Sequence, residues 1–215
     1  MRSAVSYFVF AAMVMLLPAG ALTAPYLQKD LEALDRTGAW DELRAHLTDI
    51  PPSKRGPRWN EMAEHACLHP GDDDNYDRLE SCARLLAAAT AADPKNKEFA
   101  LRVATFFGRT RFQSLAIPFF VRAITEPGDP QCRSPEVASA VFGGLNRSET
   151  DDKALVEGAQ KLAFTLCWSE LQAKILVRFD RDDGIGLFER HICPALMREK
   201  VLTKPQTARC DQALH

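Results

Sequence analysis

Residues 112–124 read FQSLAIPFFVRAI, and this stretch decides the fold class. Its apolar residues recur at steps of three and four, at Phe112, Leu115, Ala116, Phe119, Phe120, Ala123 and Ile124. Such spacing places all of them on one face of an α-helix. The stretch therefore predicts an amphipathic helix whose apolar face packs against the rest of the protein.

Helical spacing recurs outside this stretch, while strand signals are nearly absent. Residues 79–90 and 155–166 repeat the steps of three and four, and no run alternates β-branched or aromatic residues with polar ones. Pairs that contain proline or glycine separate the helical stretches. The sequence thus predicts an all-α fold of about ten or eleven short helices with disulfides. We expect an array of antiparallel helical hairpins, as a short α-solenoid or an irregular helical bundle.

Polar residues and prolines predict where individual helices begin and end. Ser148 and Ser169 are each followed three residues later by an acid or amide, which is typical of a capping box. Pro118 falls inside the helix predicted for 112–124. Pro194 is expected to interrupt the last helical segment, because proline lacks the amide hydrogen that a helix interior uses.

The N-terminus has the order of a secretory signal peptide. Arg2 precedes the apolar stretch 4–17, and small residues follow it. A positive start, an apolar middle and a small-residue exit form the export signature, and the stretch is short for a membrane span. We expect 1–21 to be removed, which leaves 22–215 as one helical domain that is secreted or periplasmic and has no membrane span. Cleavage after Ala24 and a retained membrane anchor are the alternatives.

The cysteines support export. All six lie beyond the predicted signal peptide, and an even number of cysteines in an exported chain predicts disulfides. The predicted helices place Cys67 near Cys82, and Cys132 near Cys167, as neighbours within antiparallel hairpins. The remaining two cysteines would link the C-terminal tail to the last helix. This local geometry predicts the sequential pairs Cys67–Cys82, Cys132–Cys167 and Cys193–Cys210.

Residues 97–130 resemble a tetratricopeptide repeat. The residues placed where that family has its helix-core positions are Ala100, Val103, Ala104, Phe107, Ala116, Phe120 and Ala123. Looser copies of the spacing occur upstream, one of them ending at Asp93-Pro94, so that the resemblance covers roughly half of the predicted mature chain. It implies a degenerate array of helical hairpins whose first helices line a peptide-binding face.

The resemblance implies that Arg102, Thr105 and Arg109 project onto this peptide-binding face. They share one stripe of the helix predicted for 95–109. Arginine pairs bidentately with carboxylates, so we expect a protein or peptide partner that carries carboxylates. In the family, the usual clamp for a chain-terminal carboxylate has asparagine where this helix has Thr105.

His65 and His69 form a second candidate site. They lie four residues apart on the helix predicted for 57–69, so their imidazoles share a face, and Asp72 follows. Two imidazoles and a carboxylate are a legitimate metal-ligand set, although the order differs from the His-Glu-x-x-His of metalloproteases. The alternatives are a metal site, with or without catalysis, and a polar helix face beside an acidic loop.

Composition and motifs narrow the classes of function. The formal net charge of −2 is too small to indicate nucleic acid or an anionic membrane as the partner. The sequence contains no G-x-S-x-G, no S-x-x-K, no glycine-rich phosphate loop and no C-x-x-C. It favours an exported, non-catalytic interaction or scaffold module without a cofactor. The alternative is a metal-dependent enzyme or metal-binding protein that uses His65 and His69.

Overall fold

The computed structural model of the chain describes residues 25–68, 75–181 and 186–215. These residues form eleven α-helices and no strand, which confirms the predicted all-α fold. The helices are α1 (Gln28–Thr37), α2 (Trp40–His46), α3 (Pro57–Leu68), α4 (Tyr76–Ala92), α5 (Lys97–Arg109), α6 (Ile117–Ala123), α7 (Pro135–Leu145), α8 (Glu149–Lys161), α9 (Trp168–Arg181), α10 (Leu187–Glu199) and α11 (Lys204–Leu214).

Tighter and wider helical turns extend or connect several of these helices. The 3₁₀ turns span Leu47–Asp49, Pro52–Lys54, Gln113–Ala116 and Pro130–Arg133. A π-helical turn, Leu162–Leu166, continues α8. The predicted signal peptide (1–21) and the candidate metal ligands His69 and Asp72 lie outside the described residues. Of the helices that are described, none is long and apolar enough to cross a bilayer.

The helices pack as hairpins that also contact their second neighbours. The pairs α3 with α4, α5 with α6, α7 with α8 and α10 with α11 pack closely. The first helices α1, α3, α5 and α7 also touch one another in that order, and so do the second helices α4, α6 and α8. Contacts between successive hairpins of this kind characterise stacked helical arrays.

The hairpin of α5 and α6 carries an aromatic contact within the hydrophobic core. Phe107 of α5 stacks on Phe119 of α6, with 5.6 Å between ring centroids and 11° between ring planes. Phe120, another core position of the tetratricopeptide resemblance, is also buried. Every core position named for the tetratricopeptide resemblance is buried. The first helix of this hairpin is therefore fixed by packing on its inner side.

Three disulfides join the cysteines in the predicted sequential order. The Cα–Cα distances are 5.4 Å for Cys67–Cys82, 5.1 Å for Cys132–Cys167 and 5.3 Å for Cys193–Cys210. Two of the disulfides lie within the hairpins α3–α4 and α10–α11. Disulfides form and persist in oxidising surroundings, so the chain belongs in an oxidising environment.

The two predicted serine caps have different outcomes. Ser148 is the N-cap of α8, and its Oγ accepts a hydrogen bond from the Thr150 amide at 3.3 Å. The prediction for Ser169 is wrong, because α9 already begins at Trp168. The Ser169 hydroxyl instead donates to the carboxylate of Glu170 at 2.6 Å. The pattern of Ser169 with Gln172 three residues later therefore does not mark the first residue of α9.

The structure also changes the predicted positions of two prolines in their helices. Pro118 is in the first turn of α6, after the 3₁₀ turn that replaces the first half of the predicted helix. The amide that proline lacks has no partner in a first turn. The prediction that Pro194 interrupts its helix is wrong, because α10 continues through it to Glu199. Burial of the flanking Ile192 and Leu196 offsets the roughly 3 kcal/mol that an interior proline costs.

Candidate functional site

Helix α5 borders a surface groove with a volume of about 480 Å³, which we call the α5 groove. It is lined by Leu101, Arg102, Thr105, Phe106, Arg109 and Thr110. The structure thus brings together Arg102, Thr105 and Arg109, the three residues proposed from the sequence. Half-buried Leu101 and Phe106 supply apolar surface between the two exposed arginines.

Capping interactions fix both ends of α5. The Asn96 side chain accepts a hydrogen bond from the Phe99 amide at 3.0 Å, which satisfies a donor at the N-terminus. At the other end, the buried Thr110 hydroxyl donates to the carbonyl oxygen of Phe107 at 2.8 Å. The residues of the groove are therefore displayed by a helix with defined ends and a packed inner face.

Arg102 is already bound to carboxylates of this chain. Its Nε and Nη2 donate to the two oxygens of Glu64 at 2.9 and 3.1 Å, a bidentate pair. Its Nη1 lies 3.3 Å from the carboxylate of Glu98. The hydrogen bond with Glu64 raises the pKa of Arg102. Arg102 is therefore a positioned cation that would have to exchange a partner to bind a ligand through the same atoms.

Arg109 is held differently. Its Nε donates to Glu136 of α7 at 3.0 Å, while 72% of the Arg109 side chain is exposed against 15% of the Glu136 side chain. The hydrogen bond from Arg109 lowers the pKa of the Glu136 carboxyl, which therefore stays ionised in its mostly buried place. This contact orients the guanidinium through Nε, and most of the side chain is exposed to solvent. Arg109 is the better placed of the two arginines to bind an external carboxylate.

Ion pairs connect the first helices α1, α3, α5 and α7, which contact one another in that order and which we call the row. Asp35 of α1 accepts from Arg58 at 2.8 Å and lies 2.8 Å from Nδ1 of His65, both of which belong to α3. Glu64 links α3 to α5, and Glu136 links α5 to α7. Solvent-exposed ion pairs contribute only about 0–1 kcal/mol each to stability, and the cations of these pairs are partly exposed although the Asp35 carboxylate is buried. Their main effect here is to orient the polar side chains that the row presents.

Sequence reasoning missed the carboxylate partners of this row. They are separated from their partner cations by 23 to 38 residues along the chain. Helical periodicity identifies which residues share a face of one helix, but it does not identify the residue opposite on another helix. The spacing of residues within one helix therefore could not predict these ion pairs.

The candidate metal site is described only in part. His65 is half-exposed and lines a groove of about 510 Å³ with Trp40, Glu64 and Leu68. Cys67 is in a disulfide, so it has no thiolate for a metal. Within 25–68, 75–181 and 186–215, no three or more His, Cys, Asp or Glu side chains are grouped to hold a metal ion. His69 and Asp72 are outside these ranges.

Comparison with known proteins identifies no relative. No protein-family model matches the chain, and neither a curated protein nor a solved structure does. The tetratricopeptide resemblance stays a prediction. The function of the α5 groove is therefore inferred from its own residues and their geometry.

Proposed function

We propose that this chain is an exported, non-catalytic interaction module that binds a carboxylate-bearing peptide segment of a partner protein in the α5 groove. The observation that carries the proposal is the combination of an apolar strip, Leu101 and Phe106, with two positioned arginines at its edges. Apolar surface supplies affinity, and convergent polar groups fix the orientation of a ligand. The tetratricopeptide resemblance supports the same face of the molecule.

The two arginines have unequal parts in this proposal. Arg109 offers the outer edge of a guanidinium that Glu136 orients through Nε, and such an edge can bind both oxygens of a carboxylate. The Nη2 of Arg102 instead donates to Glu64, and its Nη1 donates to Glu98. The partner's carboxylate therefore binds at Arg109, while apolar side chains of the partner pack between Arg109 and Arg102.

Export is the second part of the proposal. It is supported by the order of residues in the N-terminal segment 1–21 and by the three disulfides. Disulfides occur mainly in secreted and periplasmic proteins. The partner would then meet this chain outside the cytoplasm, where both are in oxidising surroundings.

Selection of peptides from a displayed random library on the oxidised protein tests the peptide-binding proposal. We expect enriched peptides to contain an aspartate or glutamate near an aromatic or aliphatic residue. Arg109→Gln should weaken their binding by about tenfold or more, because a charge-assisted hydrogen bond contributes about 1.5–3 kcal/mol. Fluorescence anisotropy with a labelled peptide measures the change in Kd.

Arg133→Gln is the matched control for this experiment, since Arg133 is exposed and lies outside the groove. It removes the same charge and should leave Kd nearly unchanged. Enriched peptides without acidic residues, or equal binding to the parent and Arg109→Gln, would contradict the proposal. Circular dichroism of both variants verifies that the helices are intact.

The contact between His65 and Asp35 favours a second candidate, metal binding. Asp35 is buried, and its carboxylate lies 2.8 Å from Nδ1 of His65. In metal sites a carboxylate often holds a histidine in this way, with Nε2 directed to the metal. Titration of the tag-free protein with zinc decides between this candidate and a simple interhelical ion pair. Stoichiometric binding that His65→Ala abolishes would establish the metal site, whereas absence of binding would exclude it.

A further inference from the structure

A groove between α2 and α4 concentrates arginines on a part of the molecule that the α5 groove does not include. Its volume is about 590 Å³, and its lining contains Arg44, Arg55 and Arg84. The hydroxyl-bearing residues Thr48 and Ser81 also line it. We call it the arginine groove. Its three cations come from three separate segments of the chain, which the fold brings to one place.

Two of these guanidinium groups are held in position by the protein. Arg44 donates from Nη1 to the carbonyl oxygen of Ala66 at 3.3 Å, and only 16% of its side chain is exposed. Arg55 donates from Nε to the carbonyl oxygen of Ile50 at 3.0 Å. The guanidinium carbon of Arg55 also lies 4.5 Å from the ring centroid of Trp59. Fixed cations lose little conformational entropy when a ligand binds.

The third arginine is exposed and weakly engaged. The side chain of Arg84 is 74% exposed, and its Nη2 lies 3.6 Å from the nearest oxygen of Glu80. That separation is longer than a hydrogen bond. Arg84 can therefore turn towards an anion that the two fixed arginines have already attracted.

We propose that the arginine groove binds a small molecule that carries a phosphate or sulfate ester. Several arginines around a groove suit a group with three outer oxygens, because each guanidinium can donate two hydrogen bonds. The groove is far larger than an inorganic ion and falls within the usual volume range of small-molecule sites, about 300–1,000 Å³. Ala45, Leu85 and Ala88 provide the apolar surface on which the body of the ligand packs.

The carboxylate of Asp41 opposes the binding of an anion in the arginine groove. Its carboxylate lines the groove and accepts from Nη2 of Arg44 at 2.7 Å. An incoming oxyanion would replace Asp41 as the partner of that nitrogen and would also be repelled by it. The proposal therefore makes an uncommon prediction, which is that removing this acid improves binding.

Isothermal titration calorimetry of the full, oxidised chain tests the proposal. The probes are inorganic phosphate, glucose 6-phosphate and glucose 6-sulfate, with glucose at matched ionic strength as the reference. Arg84→Gln should weaken binding of an ester by about tenfold or more. Asp41→Asn should strengthen it several-fold. Arg36→Gln removes an exposed charge outside the groove and should bind like the parent.

Vesicles that contain phosphatidic acid form a second arm, which separates a lipid headgroup from a free ester as the source of the phosphate. Vesicle binding that Arg84→Gln abolishes would support the site with a lipid as its ligand. The proposal is overturned if no probe binds, or if Arg84→Gln and Asp41→Asn both bind like the parent. Because none of these residues lines the α5 groove, the result is independent of peptide binding.

Discussion

Phe107→Ala is expected to lower the free energy of unfolding by about 3–5 kcal/mol, even with all disulfides formed. Phe107 has no exposed surface and stacks on Phe119 across the α5–α6 hairpin. The alanine removes this contact and leaves a cavity that a close-packed core fills only in part. The loss is a large share of the roughly 5–15 kcal/mol that a domain possesses. Urea unfolding followed by circular dichroism under non-reducing conditions measures it.

Phe164→Ala is the control for this substitution. It also removes a phenyl ring, but from a half-buried position. The ring centroids of Phe164 and Trp168 are 5.8 Å apart. We expect a clearly smaller loss of stability, because less apolar area leaves water there. Equal losses for the two variants would show that the α5–α6 contact is not central to the core.

Arg209→Met is expected to destabilise the C-terminal hairpin by about 3–5 kcal/mol, although Cys193–Cys210 still links its helices. Arg209 donates to Glu189 at 2.8 Å and to the carbonyl oxygen of Phe179 at 2.6 Å. Glu189 is only 2% exposed. Without the arginine, the buried charge loses this cationic partner, and the hydrogen bond from the Gly186 amide at 2.8 Å compensates its desolvation only in part.

A double variant isolates the electrostatic cause. Glu189→Gln combined with Arg209→Met removes the buried charge as well as its partner, so it should recover part of the stability that Arg209→Met alone loses. Arg198→Met is the surface control, because the Arg198 side chain is 68% exposed and lies 3.6 Å from Glu199. We expect a change within about 0.5 kcal/mol for it. If the double variant is no more stable than Arg209→Met, the unpaired charge is not the cause, and packing of the arginine stem is the dominant effect.

Local patterns in the sequence predict most of the helices and the order of the disulfides. Apolar steps of three and four locate α4 and α8, since they reflect the helical period itself. The pairing of Cys67 with Cys82 follows from the geometry of a single hairpin. Pro194 was misjudged because burial on both sides of it, a property of the packed structure, outweighs the local cost of proline.

The candidate site was predictable on one helix and not beyond it. The helical period places Arg102, Thr105 and Arg109 on one stripe, and the structure gathers them at one groove. The pairing of Arg102 with Glu64 depends on how α3 lies against α5, which no spacing within either helix encodes. The arginine groove was missed for the same reason, because its cations are far apart in the chain.

The order of the disulfides has a consequence for how the chain acquires them. The six cysteines pair in consecutive twos along the chain, as Cys67–Cys82, Cys132–Cys167 and Cys193–Cys210. If the protein enters an oxidising compartment N-terminus first, an oxidase that joins thiols in their order of emergence produces the native set directly. Thiol–disulfide reshuffling, which takes seconds to hours, is then unnecessary. Under that condition, oxidative maturation of this protein would require an oxidant but no isomerase.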